Sequence, residues 1–404
     1  MAAGFAVGSG RFGFFVWFGR VGSPVADPGG QSVANPGGQS AANPGGQIAA
    51  YHPPLDSHGD PRWVTPPESL LPPATTAGLP AALTATNPTG PVVTPAMAQA
   101  VVSAAWTLHG QALAVGDENL MASLETGSAL EADLGRCVCA PANPFGPIGG
   151  VSVMVPRQTS YPARFMAQVA TTVPAPTSGR DQYLAFVVFT RTDAASPWRI
   201  ALLGGFATEG AAAVTPPAVD ADGYLAIEAA APKVDPAEAH DLLAGYWRRA
   251  KDSGTVPDPG PFEPGVWTTH QAGVLAEHHQ GAVGGTGFTE YYAYQADPDP
   301  ASLFVFDQGL GWRIACAPLR VQRTFTGEPG GFPYQTPDLH NWGRDVAPGV
   351  HAAIIDTELT VPCIEIPAAG SADGLRVYGA DEYNSHLEAR DAPAAPAVPA
   401  TRTA

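Results

Sequence analysis

The chain has 404 residues, 45% of them hydrophobic and 14% charged, with a formal net charge of -17. Such length leaves room for two or three domains, each able to bury a core. The acidity excludes a phosphate-backbone binder, whose affinity rests on clustered Lys and Arg, so no nucleic-acid partner is expected. Lys233 and Lys251 are the two lysines of the chain; polybasic membrane patches are excluded with them. Neither is followed by Ser or Thr, which removes a Walker phosphate loop.

Gly and Pro number 46 and 43, nearly twice their ordinary combined share of about 12%. Many of them fall early in the chain. Residues 1–20 hold an apolar octet, Phe12 to Gly19, between Arg11 and Arg20. It is too short to span a bilayer, which takes about 20 apolar residues, and resembles the remnant of an export or anchor segment. Residues 21–93 read as a disordered Pro/Gly-rich linker. It carries three octads, Asp27 to Ala34, Asn35 to Ala42 and Asn43 to Ala50, each with Pro-Gly-Gly-Gln at its second to fifth positions. Residues 389–404 read as a disordered tail.

The folded region is expected to begin at Thr94. Thr94, Pro95 and the apolar run to Trp106 supply a helix cap, a proline at the first helical position and a buried stripe. Asp235, Pro236 and the run to Trp247 repeat that pattern. Further on, Trp198-Arg-Ile-Ala201 recurs as Trp312-Arg-Ile-Ala315, each behind a strand-like run. The same order twice points to an internal duplication. Between these landmarks, Asp117 reads as an N-cap and Ser128 to Arg136 as a short helix. Strands are expected at Val151–Arg157, Arg164–Thr172, Tyr183–Arg191 and Trp198–Leu203, and later at His351–Ile355, Leu359–Ile366 and Leu375–Tyr378. Helices followed by an antiparallel sheet make an α+β fold.

Helix, then Gly-Asp-x-x-x-Leu-x-x-Leu from Gly116, then strands ending in Trp-Arg-Ile-Ala resembles the cystatin-like cone of the SnoaL and scytalone dehydratase superfamily. The run Leu124 to Asp133, together with Val155 to Pro162, is similar to an actinobacterial domain of unknown function, whose members are often exported or membrane-anchored. The resemblance covers roughly residues 94–388. It implies two tandem cone-like domains, 94–228 and a degenerate 234–388, with helices packed on curved antiparallel sheets.

Cone folds of that superfamily house apolar pockets with a His or carboxylate base. A pocket here would draw on Trp106, His109, Tyr161 and Trp198. His109 lies three residues past Trp106 and shares its helical face, and a boundary position is the favoured reading of it. Asp117, Glu125, His240, His270, Glu277, His278 and His279 complete the set of acid–base candidates. The spacing of His270 from His278 and His279 does not match a zinc helix. Asp220-Ala-Asp-Gly223 lacks the anchoring carboxylates of a calcium loop and reads as a turn before a strand at Tyr224–Ile227. Gly8 to Gly13 fits a dinucleotide pattern but follows no strand. Arg157 and Tyr161 are candidates for an anionic ligand, or a solvated pair. No residue is assigned a catalytic, cofactor-binding or metal-ligating role.

Four cysteines are present, Cys137, Cys139, Cys316 and Cys363. Cys316 with Cys363 is the favoured disulfide; burial as small apolar residues is the alternative. Three functions stay open. The first is a non-catalytic, secreted or membrane-anchored module binding an unknown protein or small molecule. A cone-fold lyase or isomerase acting on an apolar small molecule is the second. The third is a structural unit using its sheet for intramolecular or homodimeric packing. Extracytoplasmic placement is expected, with a cytoplasmic one as the alternative.

Overall fold

The protein is described by a computed structural model covering residues 78–134, 147–173, 181–207, 217–226, 230–282, 288–296, 302–327, 332–334, 349–351, 353–379 and 382–390. The apolar octet, the octad repeats, the linker up to residue 77, Cys137, Cys139 and the tail beyond residue 390 lie outside these residues.

Order begins before Thr94. Helix α1 (Ala81–Thr84) buries Leu83, and Val92 and Val93 are also in the core. This corrects the linker boundary: residues 78–93 pack on the fold. The reason is Arg191, whose guanidinium is buried and donates to the carbonyls of Ala85 at 2.5 Å, Thr84 at 3.2 Å and Ala194 at 2.7 Å. A buried cation needs such partners, and this one finds two of them in the arm and the others, Asp193 and Ala194, in the loop that follows Arg191.

Helix α2 (Pro95–Val115) starts where the Thr94 hydroxyl accepts from the Met97 amide at 3.2 Å and ends at Gly116 in the left-handed region. Its buried side is Ala98, Val101, Val102, Ala105, Trp106, His109 and Ala112, a three-and-four stripe. Asp117 then caps α3 (Glu118–Leu124), accepting from the Leu120 amide at 3.0 Å. Helix α4 (Gly127–Leu134) follows. Next comes a meander of β1 (Gly150–Met154), β2 (Ala163–Val173), β3 (Asp181–Arg191) and β4 (Arg199–Ala207), antiparallel throughout.

The second half opens with α5 (Pro236–Ser253). Asp235 caps it, Pro236 takes its first position and left-handed Gly254 ends it. A π-helical turn at Val266–His270 leads into α6 (Gln271–Ala282). Strands β5 (Phe288–Ala296), β6 (Phe304–Gly309), β7 (Trp312–Cys316), β8 (Leu319–Gly327), β9 (Phe332–Tyr334), β10 (Gly349–His351), β11 (Ala353–Thr360), β12 (Cys363–Ile366), β13 (Arg376–Tyr378) and β14 (Glu382–Arg390) complete the chain. They pair as β13-β12-β7-β6, as β14-β11-β8-β5 and as the small pair β10-β9. Ala317-Pro318 separates β7 from β8, and Val361-Pro362 separates β11 from β12. Two long strands therefore pass from one sheet to the other, each interrupted at a proline that cannot donate to the ladder.

The layers run helix, sheet, sheet, helix. One face of the meander (Phe165, Ala167, Ala185, Val187, Phe189, Ile200) packs on α2. Its other face (Met166, Phe186, Val188, Leu202) shares a core with Phe304, Phe306, Ile314, Cys316, Leu359, Cys363 and Tyr378 of the second half. Beyond that sheet, Ala315, Leu319, Val321, Ile364 and Ile366 pack on α5. Contact is close: a Cβ on Gly204 would lie 2.8 Å from the Val361 carbonyl oxygen. Cys316 and Cys363 are a directly opposed pair on β7 and β12, disulfide-bonded and fully buried at this seam.

The fold is thus α+β with antiparallel sheets. The two Trp-Arg-Ile-Ala segments sit on the second strand of a hairpin in each half, yet they face opposite ways. Ile200 points toward α2, whereas Ile314 points toward the meander. Strand side chains alternate, so the echo is out of phase by one residue.

Candidate functional site

Burial of polar groups marks where the fold does something other than pack. The most concentrated case joins three helices of the first half. His109 extends the buried stripe of α2, one turn beyond Trp106, and the two rings lie 6.2 Å apart. It is 1% exposed, so the boundary position is corrected: the stripe runs on past Trp106 and carries the imidazole inside. Glu125 ends α3, and Asp133 sits in the last turn of α4.

The loop between α3 and α4 is pinned to β4. Thr126 donates its amide to the Ile200 carbonyl at 2.8 Å, and the Ser128 hydroxyl donates to the Ala201 carbonyl at 3.2 Å. Gly127 takes a φ of 58°, which a side chain would resist, and so reverses the chain between Glu125 and α4. The result is convergence. His109 Nε2 lies 2.5 Å from Asp133 Oδ2 and 3.2 Å from Glu125 Oε1. Each of the three side chains is 1% exposed. One imidazole nitrogen and a carboxylate oxygen from each acid lie within 4.8 Å of one another. Such a group can hold a proton between its members or a cation among them.

The other expected pocket residues are core. Trp198 is 1% exposed and meets Phe165 edge-on at 5.1 Å; Trp106 is in the same cluster, and Tyr161 packs against it half-buried. Arg157 does not present itself to an anion. It binds Asp220 at 2.9 Å and Asp222 at 2.5 Å and lies over the Tyr224 ring. Those aspartates belong to the expected turn, but Leu225 makes an isolated bridge to Val219 and opens no longer strand among the described residues.

In the second half, His240 is buried, with Nδ1 2.9 Å from the Pro236 carbonyl oxygen and Nε2 3.4 Å from that of Pro362. Burial pushes its pKa down, against the pull of those two oxygens. His270 and Glu277 are exposed; the side chains of His278 and His279 lie outside the described residues. A second polar knot centres on fully buried Glu365, which accepts from the Tyr378 hydroxyl at 3.0 Å and faces Arg376 at 3.5 Å. Burial, reinforced by Glu365, raises the Tyr378 pKa and keeps the phenol a donor.

Asp133 was the residue that sequence reasoning missed. The signal was an acid inside Ala129-Leu130-Glu131-Ala132-Asp133-Leu134, where all but Glu131 are buried. A carboxylate in so apolar a run implies a partner.

All three members of the cluster lie within residues 89–303, the stretch matched by the model of a family described as Domain of unknown function (DUF8094). This is more than half of the chain. The protein belongs to the DUF8094 family. No curated protein and no solved structure matches it. The DUF8094 match takes in the meander, α5 and α6, and stops before β6.

Proposed function

We propose that the protein is a non-catalytic binding or interaction module, exported and held at the cell surface by its N-terminal segment. One observation carries the non-catalytic part. Acid–base catalysis requires the reacting atom within about 3 Å of the base, and the best-placed pair among the described residues, His109 and Asp133, has side chains only 1% exposed. The Cys316–Cys363 bond supports placement in an oxidising compartment, where such bonds persist. No helix among the described residues is long and apolar enough to cross a membrane, so in this reading the tether belongs to the segment before residue 78. The cone-like resemblance and an actinobacterial origin are part of the same proposal. Matched caps support a duplication: Thr94-Pro95 with Gly116 on α2, and Asp235-Pro236 with Gly254 on α5. The reversed facing of Ile200 and Ile314 counts against a residue-for-residue repeat.

A specific observation favours the lyase or isomerase reading as runner-up. The 2.5 Å contact to Asp133 would orient His109 as a general base. Fractionation of the native host, with intact mass and thiol alkylation, tests the first reading. A membrane-bound or secreted species with Cys316 and Cys363 oxidised is expected; a full-length cytosolic species with free thiols overturns export. Turnover of an apolar small molecule by the purified chain, lost in His109→Gln and Asp133→Asn, overturns the non-catalytic part.

A further inference from the structure

We infer that His109, Glu125 and Asp133 form a binding site for a first-row divalent cation of the zinc or manganese class. The cation would lock α2, α3 and α4 together. The inference depends neither on export nor on the absence of catalysis.

Geometry comes first. Metal–donor bonds of about 2.0–2.2 Å place neighbouring donors about 3 Å apart around one centre. Here His109 Nε2 is 3.2 Å from Glu125 Oε1, and all three donor atoms fall within 4.8 Å. The 2.5 Å separation of Nε2 from Asp133 Oδ2 is short of that spacing and opens by a small rotation of the carboxylate when a cation enters. Backbone bonds from Thr126 and the left-handed turn at Gly127 already hold Glu125 and α4 in place, so little ordering remains to be done on binding.

Charge is the second and independent argument. Two carboxylates and one imidazole, each 1% exposed, share this space. A divalent cation offsets the charge of two carboxylates, and the ring nitrogen and carboxylate oxygens are donors that it accepts. Donor chemistry narrows the ion. Calcium and magnesium prefer all-oxygen shells, whereas an imidazole nitrogen beside carboxylates suits zinc, manganese or ferrous iron. Because the site is sealed, its role is to hold the three helices in register.

The test uses the full chain without a histidine tag. Metal content is measured as purified and after chelation, and the stripped protein is titrated with Zn2+, Mn2+ and Co2+, with Ca2+ and Mg2+ as controls. Uptake of one ion per chain with a Tm several degrees higher is expected. Glu125→Gln and Asp133→Asn should each weaken affinity by more than about 100-fold, since losing a ligand exceeds the 10–100-fold cost of losing a supporting group. Identical Tm values with and without metal, or variants binding as tightly as the parent chain, would overturn the site. Should the variants not fold, the parent chain still decides. Co2+ absorption bands of mixed nitrogen–oxygen coordination support the inference, and their absence rejects it.

Discussion

Arg320 of β8 grips Glu131 of α4 across 189 positions of sequence, Nη2 donating to Oε2 at 2.6 Å and Nε to Oε1 at 3.5 Å. The side chains are 18% and 15% exposed, so the pair is screened far less than a surface bridge. It fastens the helix bearing Asp133 to the second half of the molecule. Arg320→Leu or Glu131→Gln should each cost about 1–3 kcal/mol, and the double variant less than their sum. Denaturant titration of all four proteins measures this coupling. Strict additivity would mean that the two residues meet without stabilising the fold.

Acid should weaken the protein through His240. Its pKa is lowered on folding, chiefly by burial. Below the unfolded-state value of about 6.5 the unfolded chain takes up a proton that the folded chain resists, so stability is complete above that pH and falls as pH drops through it. Tm should decline between about pH 7 and pH 5. His240→Asn, which keeps an N–H but does not ionise, should flatten that decline. An unchanged slope in the variant would assign the acid sensitivity to another group.

The disulfide closes a loop spanning 47 positions. On the chain-entropy model its loss costs up to about 4 kcal/mol. Cys316→Ala with Cys363→Ala should lower the denaturant midpoint accordingly, and reductant should do the same to the parent chain but not to the variant.

The β6–β7 turn holds a residue that works against it. Leu310 and Gly311 both have positive φ, 53° and 75°, and Leu310 is 77% exposed. Two-residue hairpins of this kind favour Asn-Gly, and a leucine in the left-handed region costs about 1–2 kcal/mol. Leu310→Asn should therefore stabilise by about 1 kcal/mol, and Leu310→Val, branched at Cβ, should destabilise. Thermal melts of the two variants with opposite signs are the expected result.

What the sequence disclosed was local. Thr94-Pro95 and Asp235-Pro236 announce their helices because caps act within one turn, and β2 and β3 show as apolar runs because both of their faces are buried. Strand β8 was unread: Gln322 and Thr324 look like surface residues but are buried, Gln322 against Thr357 at 3.2 Å. Strand β14, Glu382–Arg390, scatters Tyr383, Leu387 and Ala389 among six polar residues with no regular alternation, and it pairs with β11. Within the candidate site, the shared face of Trp106 and His109 followed from helical spacing. That Glu125 and Asp133 close on the same nitrogen depends on the reversal at Gly127, which no periodicity reveals.

The layered order of the molecule also settles how far it divides. Severing the chain near residue 228 would leave Met166, Phe186, Val188 and Leu202 facing water on one fragment, and Phe306, Ile314 and Leu359 on the other. Fragments with such wet apolar walls aggregate or re-associate. Neither piece is portable, and any graft or truncation of this protein has to carry both.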